Sequence, residues 1–319
     1  MTTAVAPEPA YSGARPGAAP ARPGRVTRIV RAVLRWAGVV PFIVYVAAGL
    51  LAPLVAIAIA SFQPPRGGFV ASHATAPTLS NLSTAVHGTY FTGLTNVLLL
   101  SLATSVVPGV FGFLIAYAIH TARRGTVLRR VVITAAGVFA NFGGVPLAFL
   151  FIATLSTTGV VTGWINDVFH FDIWNHGFSL YNPYGVALVY LYFQIPLMVL
   201  VIIPALEGLR PAWREAAENL GARSWHYWRH VAGPVLLPSF LGCLLLLFGG
   251  GLSAYATAEA LTGGTIALTP IQIGALLNGN VLAGQENLGY ALGLILVVII
   301  GIVMIGYTFL QRRAARWLQ

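Results

Sequence analysis

The chain contains no lysine; its basic residues, 18 in all, are arginines. A Walker A phosphate loop needs a lysine to reach a nucleotide's terminal phosphates, so no conventional P-loop is present. A Schiff-base lysine is excluded on the same ground. Cysteine is nearly absent too. The single Cys243, in the apolar run GCLLLLF, cannot form an internal disulfide and reads as a small buried residue. Charge is scarce: 8% of residues are charged and 57% are hydrophobic, where soluble domains carry about 25% charged residues. Catalytic signatures are also missing. There is no HExxH, no GxSxG and no carboxylate pair inside an apolar run. His226 and His230 share a helical face, but no third ligand type lies near them in sequence, so no metal site is expected. These absences point to a membrane protein without catalytic chemistry of its own.

What the chain does have is long apolar runs. A span needs about 20 apolar residues, and residues 37–62, 91–120, 130–156, 183–206, 235–260 and 288–310 qualify. The expected fold is an all-α polytopic membrane protein with six transmembrane helices. Residues 1–30 are rich in Pro, Ala, Gly and Arg without an apolar period, and read as a disordered basic tail. Residues 31–319 then form the membrane domain. The first run ends in AIAIAS, faintly like a signal-peptidase site. It is longer than the roughly 7–15 residues of a signal core and reads as an uncleaved anchor.

Arginine placement gives the orientation. Six arginines precede the first run. Arg123, Arg124, Arg129 and Arg130 lie between the second and third. Arg210, Arg214, Arg223 and Arg229 lie between the fourth and fifth, and Arg312, Arg313 and Arg316 follow the sixth. Only Arg66 falls on the other side. The positive-inside rule makes the arginine-rich face cytoplasmic, with both termini there. The net charge of +10 is dispersed over these short loops, which argues against a nucleic-acid surface.

The loop 207–234 is amphipathic. Pro211 suits a first helical position, and Gly221 suits a left-handed stop. Between them Trp213, Ala216, Ala217 and Leu220 form one apolar stripe, with Arg214, Glu215 and Glu218 on the other face. The two alanines keep the stripe shallow, so a partner surface can come close. Ser224 is expected to cap a second short helix, SWHYWRHV, whose aromatics suit the membrane interface. The residues alone leave two readings open. One is a helix lying on the lipid headgroups. The other is a docking helix, which the two glutamates beside an anionic leaflet favour.

Glu215-Ala216-Ala217, three residues, Gly221, nine residues, then Val231-Ala232-Gly233-Pro234 resembles the EAA signature of binding-protein-dependent ABC importer permeases. It departs at Gly233, where a leucine is usual. NFGGVPLAFLFIATL (141–155), EAAENLGA and AYATAEALTGG (254–264) are similar to the polyamine, opine and phosphonate branch, typified by spermidine/putrescine permeases. The resemblance covers roughly residues 37–315 and implies an importer-permease-like core in a bacterial inner (plasma) membrane. It implies that Glu215, Ala216, Ala217, Leu220, Gly221 and Pro234 couple the chain to a cytoplasmic ABC ATPase dimer. A second permease subunit, usually a different chain, and an extracytoplasmic solute-binding protein complete the implied assembly. ATP is used by the ATPase, with no cofactor in this chain. The implied solute is polyamine-like or another small organic ion.

Intramembrane polar residues are the candidates for the solute path. Glu259 is the only acidic residue within the six runs, near the end of the fifth, and ionisable groups there are costly. It reads either as a contact for a cationic solute or as a boundary carboxylate meeting water. Asn96, Asn141 and Gln194 either line the path or hydrogen-bond between helices at roughly 0.6–2 kcal/mol each. Gly249, Gly250 and Gly251, and the pair Gly289 and Gly293, are expected to allow close helix packing, and Pro146 and Pro196 to kink their spans. The rival reading is a stand-alone secondary transporter. It would show internal repeats and several intramembrane ionisable groups; one glutamate and no visible repeat count against it.

Overall fold

The computed structural model describes residues 39–64, 77–121, 126–170, 174–175, 177–278 and 284–315. The expected tail over residues 1–30 and Arg66, Arg123 and Arg124 lie outside the described residues. All regular structure among the described residues is helical. In chain order the helices are α1 (Val40–Ser61), α2 (Ser80–Ala85), α3 (Gly88–Thr121), α4 (Thr126–Asn141), α5 (Val145–Leu155) and α6 (Val160–Phe169). Then come α7 (Pro183–Glu207), α8 (Pro211–Asn219), α9 (Ser224–Ser253), α10 (Tyr255–Thr262), α11 (Thr269–Leu277) and α12 (Glu286–Ala315). Two compact units divide the chain, Met1–Val55 and Ala56–Gln319. In the first, helix α1 begins with Pro41 in its first turn and passes through a π turn at Ala47–Leu51.

Six helical stretches are long and apolar enough to cross a bilayer: Val40–Ser61, Gly88–Thr121, Val145–Phe169, Pro183–Glu207, Ser224–Ser253 and Glu286–Phe309. In the second unit large apolar side chains point outward along them, including Leu99, Phe111, Leu114, Ile305 and Phe309. In water such a surface would drive aggregation. In hydrocarbon it costs nothing, and the backbone is satisfied within each helix.

Inside the second unit α3, α7 and α9 pack most extensively on one another, with α4 against α7. Close approach of α3 and α7 requires Gly112: a Cβ there would lie 2.6 Å from the Met198 Cβ and 2.9 Å from the Ile195 carbonyl oxygen. Met198, Ile202, Leu206, Leu236 and Leu247 fill the core between α7 and α9, together with the buried Cys243. A second core joins α5, α7, α10 and α11 through Leu147, Val189, Tyr190, Leu261 and Ile271. Helix α7 starts at a cap legible in its sequence: Asn182 accepts from the Gly185 N–H at 2.8 Å, and Pro183 fixes the first turn.

Two expected spans are discontinuous. The run 130–156 breaks between α4 and α5, where Gly144 takes φ 77° and ψ −152°. The run 235–260 breaks at Ala254, at φ −76° and ψ 76°. The breaks dock together. Gly144 N–H donates to the Thr257 hydroxyl at 2.9 Å, and the Tyr190 hydroxyl donates to the Ala254 carbonyl. Backbone groups freed by interrupting a helix thus find partners inside the protein, as a lipid environment demands.

Several local expectations change. Gly249 and Gly250 meet nothing within 4 Å, and α9 runs straight through them; only Gly251 is packed, against Ser101 and Thr104 of α3. Of the pair in α12, Gly289 packs against Leu276 and Leu277, whereas Gly293 has nothing within 4 Å. Pro196 sits inside α7, but Pro146 stands in the first turn of α5 and starts a helix rather than kinking one. The polar stretch 157–182 holds a further helix, α6.

Candidate functional site

Helix α8 occupies the loop between α7 and α9. Pro211 opens it, and it closes in a full Schellman motif: Gly221 N–H donates to the Glu218 carbonyl and Ala222 N–H to the Ala217 carbonyl, both at 2.9 Å. Gly221 adopts φ 74°, the left-handed conformation this motif requires, in open space where a Cβ would meet nothing. The chain therefore turns sharply out of α8 because of backbone conformation and not because of packing.

The apolar stripe of α8 is uncovered. Leu220 is 88% exposed, Trp213 and Ala216 are exposed, and Ala217 is half-buried. On the other face Arg214 Nε donates to Glu218 Oε1 at 2.9 Å, one turn apart. That bond, with the glutamate's charge, raises the Arg214 pKa further. Arg210 lies over the Trp213 ring, 5.9 Å from its centroid. Glu215 is exposed and makes no ion pair among the described residues. A further ion pair, Arg129 with Glu207, holds the start of α4 to the end of α7 beside this loop.

Pro234 lies exposed beyond the loop, in the helix after a π turn at Trp228–Ala232. Ser224 does not cap a short helix. Arg223 holds the N-cap position without a side-chain cap, and the helix begun at Ser224 continues to Ser253. Gly233 gains a reason here. A Cβ there would lie 2.6 Å from the Trp228 carbonyl oxygen, the approach created by the π turn. His226 and His230 stack, with ring centroids 6.3 Å apart, and no group of three His, Cys, Asp or Glu side chains gathers among the described residues.

The four solute-path candidates stand apart: Asn96 and Gln194 lie in long apolar stretches, whereas Asn141, at the end of α4, and Glu259, in α10 after the break at Ala254, fall outside all six, contrary to the expectation from the sequence. No hydrogen bond joins any two of them among the described residues. Asn96 donates to the Ala267 carbonyl at 3.0 Å, tying α3 to the segment before α11. Asn141 is exposed and donates back to Gly137 in its own helix at 2.8 Å. Gln194 is buried in α7, and neither amide atom has a partner among the described residues; Ser101, buried in α3, also lacks one there. Glu259 is half-buried in α10, and its buried Oε2 has no partner among the described residues. The residues that knit this region, Thr257 and Tyr190, escaped the sequence reading because a hydroxyl in an apolar run carries no signal of what it meets. The same holds for Asn81 and Asn287, which bind the backbone after α1.

Residues 108–316 match the family described as "Binding-protein-dependent transport system inner membrane component". The chain belongs to that family. It is a multi-pass membrane protein of that family, and its matched region contains α8 and both helix breaks. The thiamine transport system permease protein ThiP of Salmonella typhimurium is 29% identical over 173 residues, 53% of this chain and 30% of ThiP. The sulfate transport system permease protein CysT of Escherichia coli is 30% identical over 168 residues, 52% of this chain and 57% of CysT. The chain thus spans less than two thirds of the length of these relatives. They are thiamine and sulfate permeases, so they lend no support to the polyamine branch. A bacterial ABC transporter that imports the acidic polysaccharide alginate has a chain of the same fold: TM-score 0.67 at 18% identity, covering 90% of this chain and 97% of that one. That transporter has also been solved with an alginate pentasaccharide-bound periplasmic protein, at TM-score 0.66.

Proposed function

We propose that this permease forms half of a solute path through a bacterial inner membrane and is driven by a separate ATPase that docks on α8. The observation that carries the reading is the uncovered stripe of α8. A leucine 88% exposed at the end of a short charged helix is an unpartnered anchor, and apolar anchors lie at the centres of protein interfaces. Ala216 and Ala217 let a cleft close over the helix, Glu215 supplies a polar contact there, and Gly221 sets the exit angle. Pro234 lies within the span that would receive the motion. The arginine-rich face, with both termini, is cytoplasmic in this reading, and a binding protein delivers the solute on the opposite face. A second permease chain completes the path, with Glu259, Asn96, Asn141 and Gln194 as candidate contacts. ATP is bound by the ATPase, and this chain needs no cofactor.

The solute is less constrained. The named relatives carry a cation, thiamine, and an anion, sulfate, so similarity to them does not favour either sign. A cationic, polyamine-like solute rests on Glu259 and the motif resemblance alone.

Affinity purification of the chain from its native membranes in mild detergent tests the coupling. An ABC ATPase should accompany the wild type, and Leu220→Asp should lose it while reaching the membrane in normal amount. A chain that purifies alone, or an ATPase retained undiminished by Leu220→Asp and Ala217→Arg, overturns the proposal.

A further inference from the structure

Behind α8, on the face opposite its apolar stripe, lies a cavity of about 600 Å³. Among the described residues, Arg210, Arg214 and Arg223 line it with His120 and a single carboxylate, Glu218. Glu218 is taken by Arg214 at 2.9 Å, so the charges of Arg210 and Arg223 are left without a carboxylate in the cavity. Two helix N-termini open onto the same space. Arg210 and Arg223 hold the N-cap positions of α8 and α9, and neither end has a side-chain cap. The positive ends of two helix dipoles therefore add to the guanidinium charge. The remaining wall is aromatic: Tyr117 of α3 stands edge-on to Trp228 of α9, centroids 5.0 Å apart, and Phe113 continues the contact one turn deeper.

We infer that this cavity binds the phosphate head of an anionic phospholipid from the adjoining leaflet. Charge selects a phosphate, which arginine forks recognise through paired hydrogen bonds. Position selects a lipid. The cavity lies at the arginine-rich ends of two spans, where α3 ends and α9 begins, and amphipathic aromatics of the kind found at the membrane interface form its wall. Basic pockets between spans on this side of a membrane suit such headgroups. The volume exceeds one phosphate and leaves room for its glycerol. A lipid seated there braces α8 from behind and leaves the stripe free. The inference does not rest on what docks on that stripe, because Arg223 and His120 lie away from it, although Arg210 also reaches over the Trp213 ring.

The full chain is reconstituted in nanodiscs of phosphatidylcholine alone and of phosphatidylcholine mixed with phosphatidylglycerol, and its thermal unfolding midpoint is measured. Native mass spectrometry reads the lipid retained. Phosphatidylglycerol should raise the midpoint and remain bound. Arg210→Gln and Arg223→Gln should each weaken retention about fivefold, while Arg229→Gln, outside the cavity, leaves it unchanged. Equal midpoints in the two lipids overturn the proposal without any variant. So does an equal loss with Arg229→Gln, which would mark general surface attraction. A shift reproduced by inorganic phosphate in phosphatidylcholine would make this a soluble-anion site. Release of the lipid by added ATPase, with a crosslink from Arg223 to an acidic ATPase segment, would give the cavity to protein.

Discussion

The backbone N–H of Gly144 donates to the Thr257 hydroxyl at 2.9 Å, joining the break between α4 and α5 to the helix that follows the break at Ala254. Thr257 is buried. Replacing it with valine keeps the shape and removes the acceptor, leaving the Gly144 N–H unsatisfied at a cost of about 1–3 kcal/mol. Thr257→Val should therefore lower the thermal unfolding midpoint of the purified chain, and Thr257→Ser should restore it. Equal midpoints for the valine and serine variants would show that the hydrogen bond does not hold the breaks together.

Gly144 itself sits where side chains are almost never found, at φ 77° and ψ −152°. A Cβ there would meet only the Pro146 ring, at 4.0 Å. The penalty for Gly144→Ala is therefore one of backbone conformation, about 1–3 kcal/mol. Gly143 has a comparably open surround without the positive φ, so Gly143→Ala should stay within about 0.5 kcal/mol of the parent. Proteolysis at the break should rise in the first variant and not in the second. If both variants behave alike, the break is not conformationally locked.

Two buried asparagines hold the end of α1. Asn81 donates to the carbonyls of Ser61 and Gln63 at 3.1 and 2.7 Å, and Asn287 to those of Gln63 and Pro64 at 3.3 and 2.8 Å. They share the Gln63 carbonyl, so their contributions should not add. A double-mutant cycle with Asn81→Leu and Asn287→Leu should give a coupling of about 0.5–3 kcal/mol. Simple additivity would mean that the two amides act independently.

Much of the fold could be read from hydropathy because a bilayer imposes a length of apolar sequence, and the start of α8 was marked by Pro211. The helix breaks were less visible, for two different reasons. At 142–144 the glycines were present, but the apolar run continued across them, and the partner that settles the break is Thr257, over a hundred residues away in sequence. At Ala254 there is no glycine or proline at all; the break is stabilised by Tyr190 from another helix. Conversely α9 passes unbroken through Gly249–Gly251, because helical hydrogen bonds in a lipid environment outweigh the propensity cost of about 1 kcal/mol per glycine. The outer face of α8 was legible because it follows a helical period. The cavity behind it was not, since it is assembled from the ends of three separate helices.

The turn out of α8 separates a conformational requirement from a steric one. Gly221 holds φ 74° with open space where a side chain would stand. A substitution there should therefore be graded by tolerance of the left-handed region, not by size. Asparagine visits that region readily, alanine pays about 1–2 kcal/mol, and β-branched valine fares worse still. If α8 transmits motion through its exit angle, solute-stimulated ATPase activity of the assembled transporter should fall in the order glycine, asparagine, alanine, valine. The amount of chain in the membrane should not change, because α8 lies outside the spans. Normal stimulation in Gly221→Val would show that the angle carries no coupling. A loss in Gly221→Asn as large as in Gly221→Val would place the requirement in a partner surface pressed against the turn.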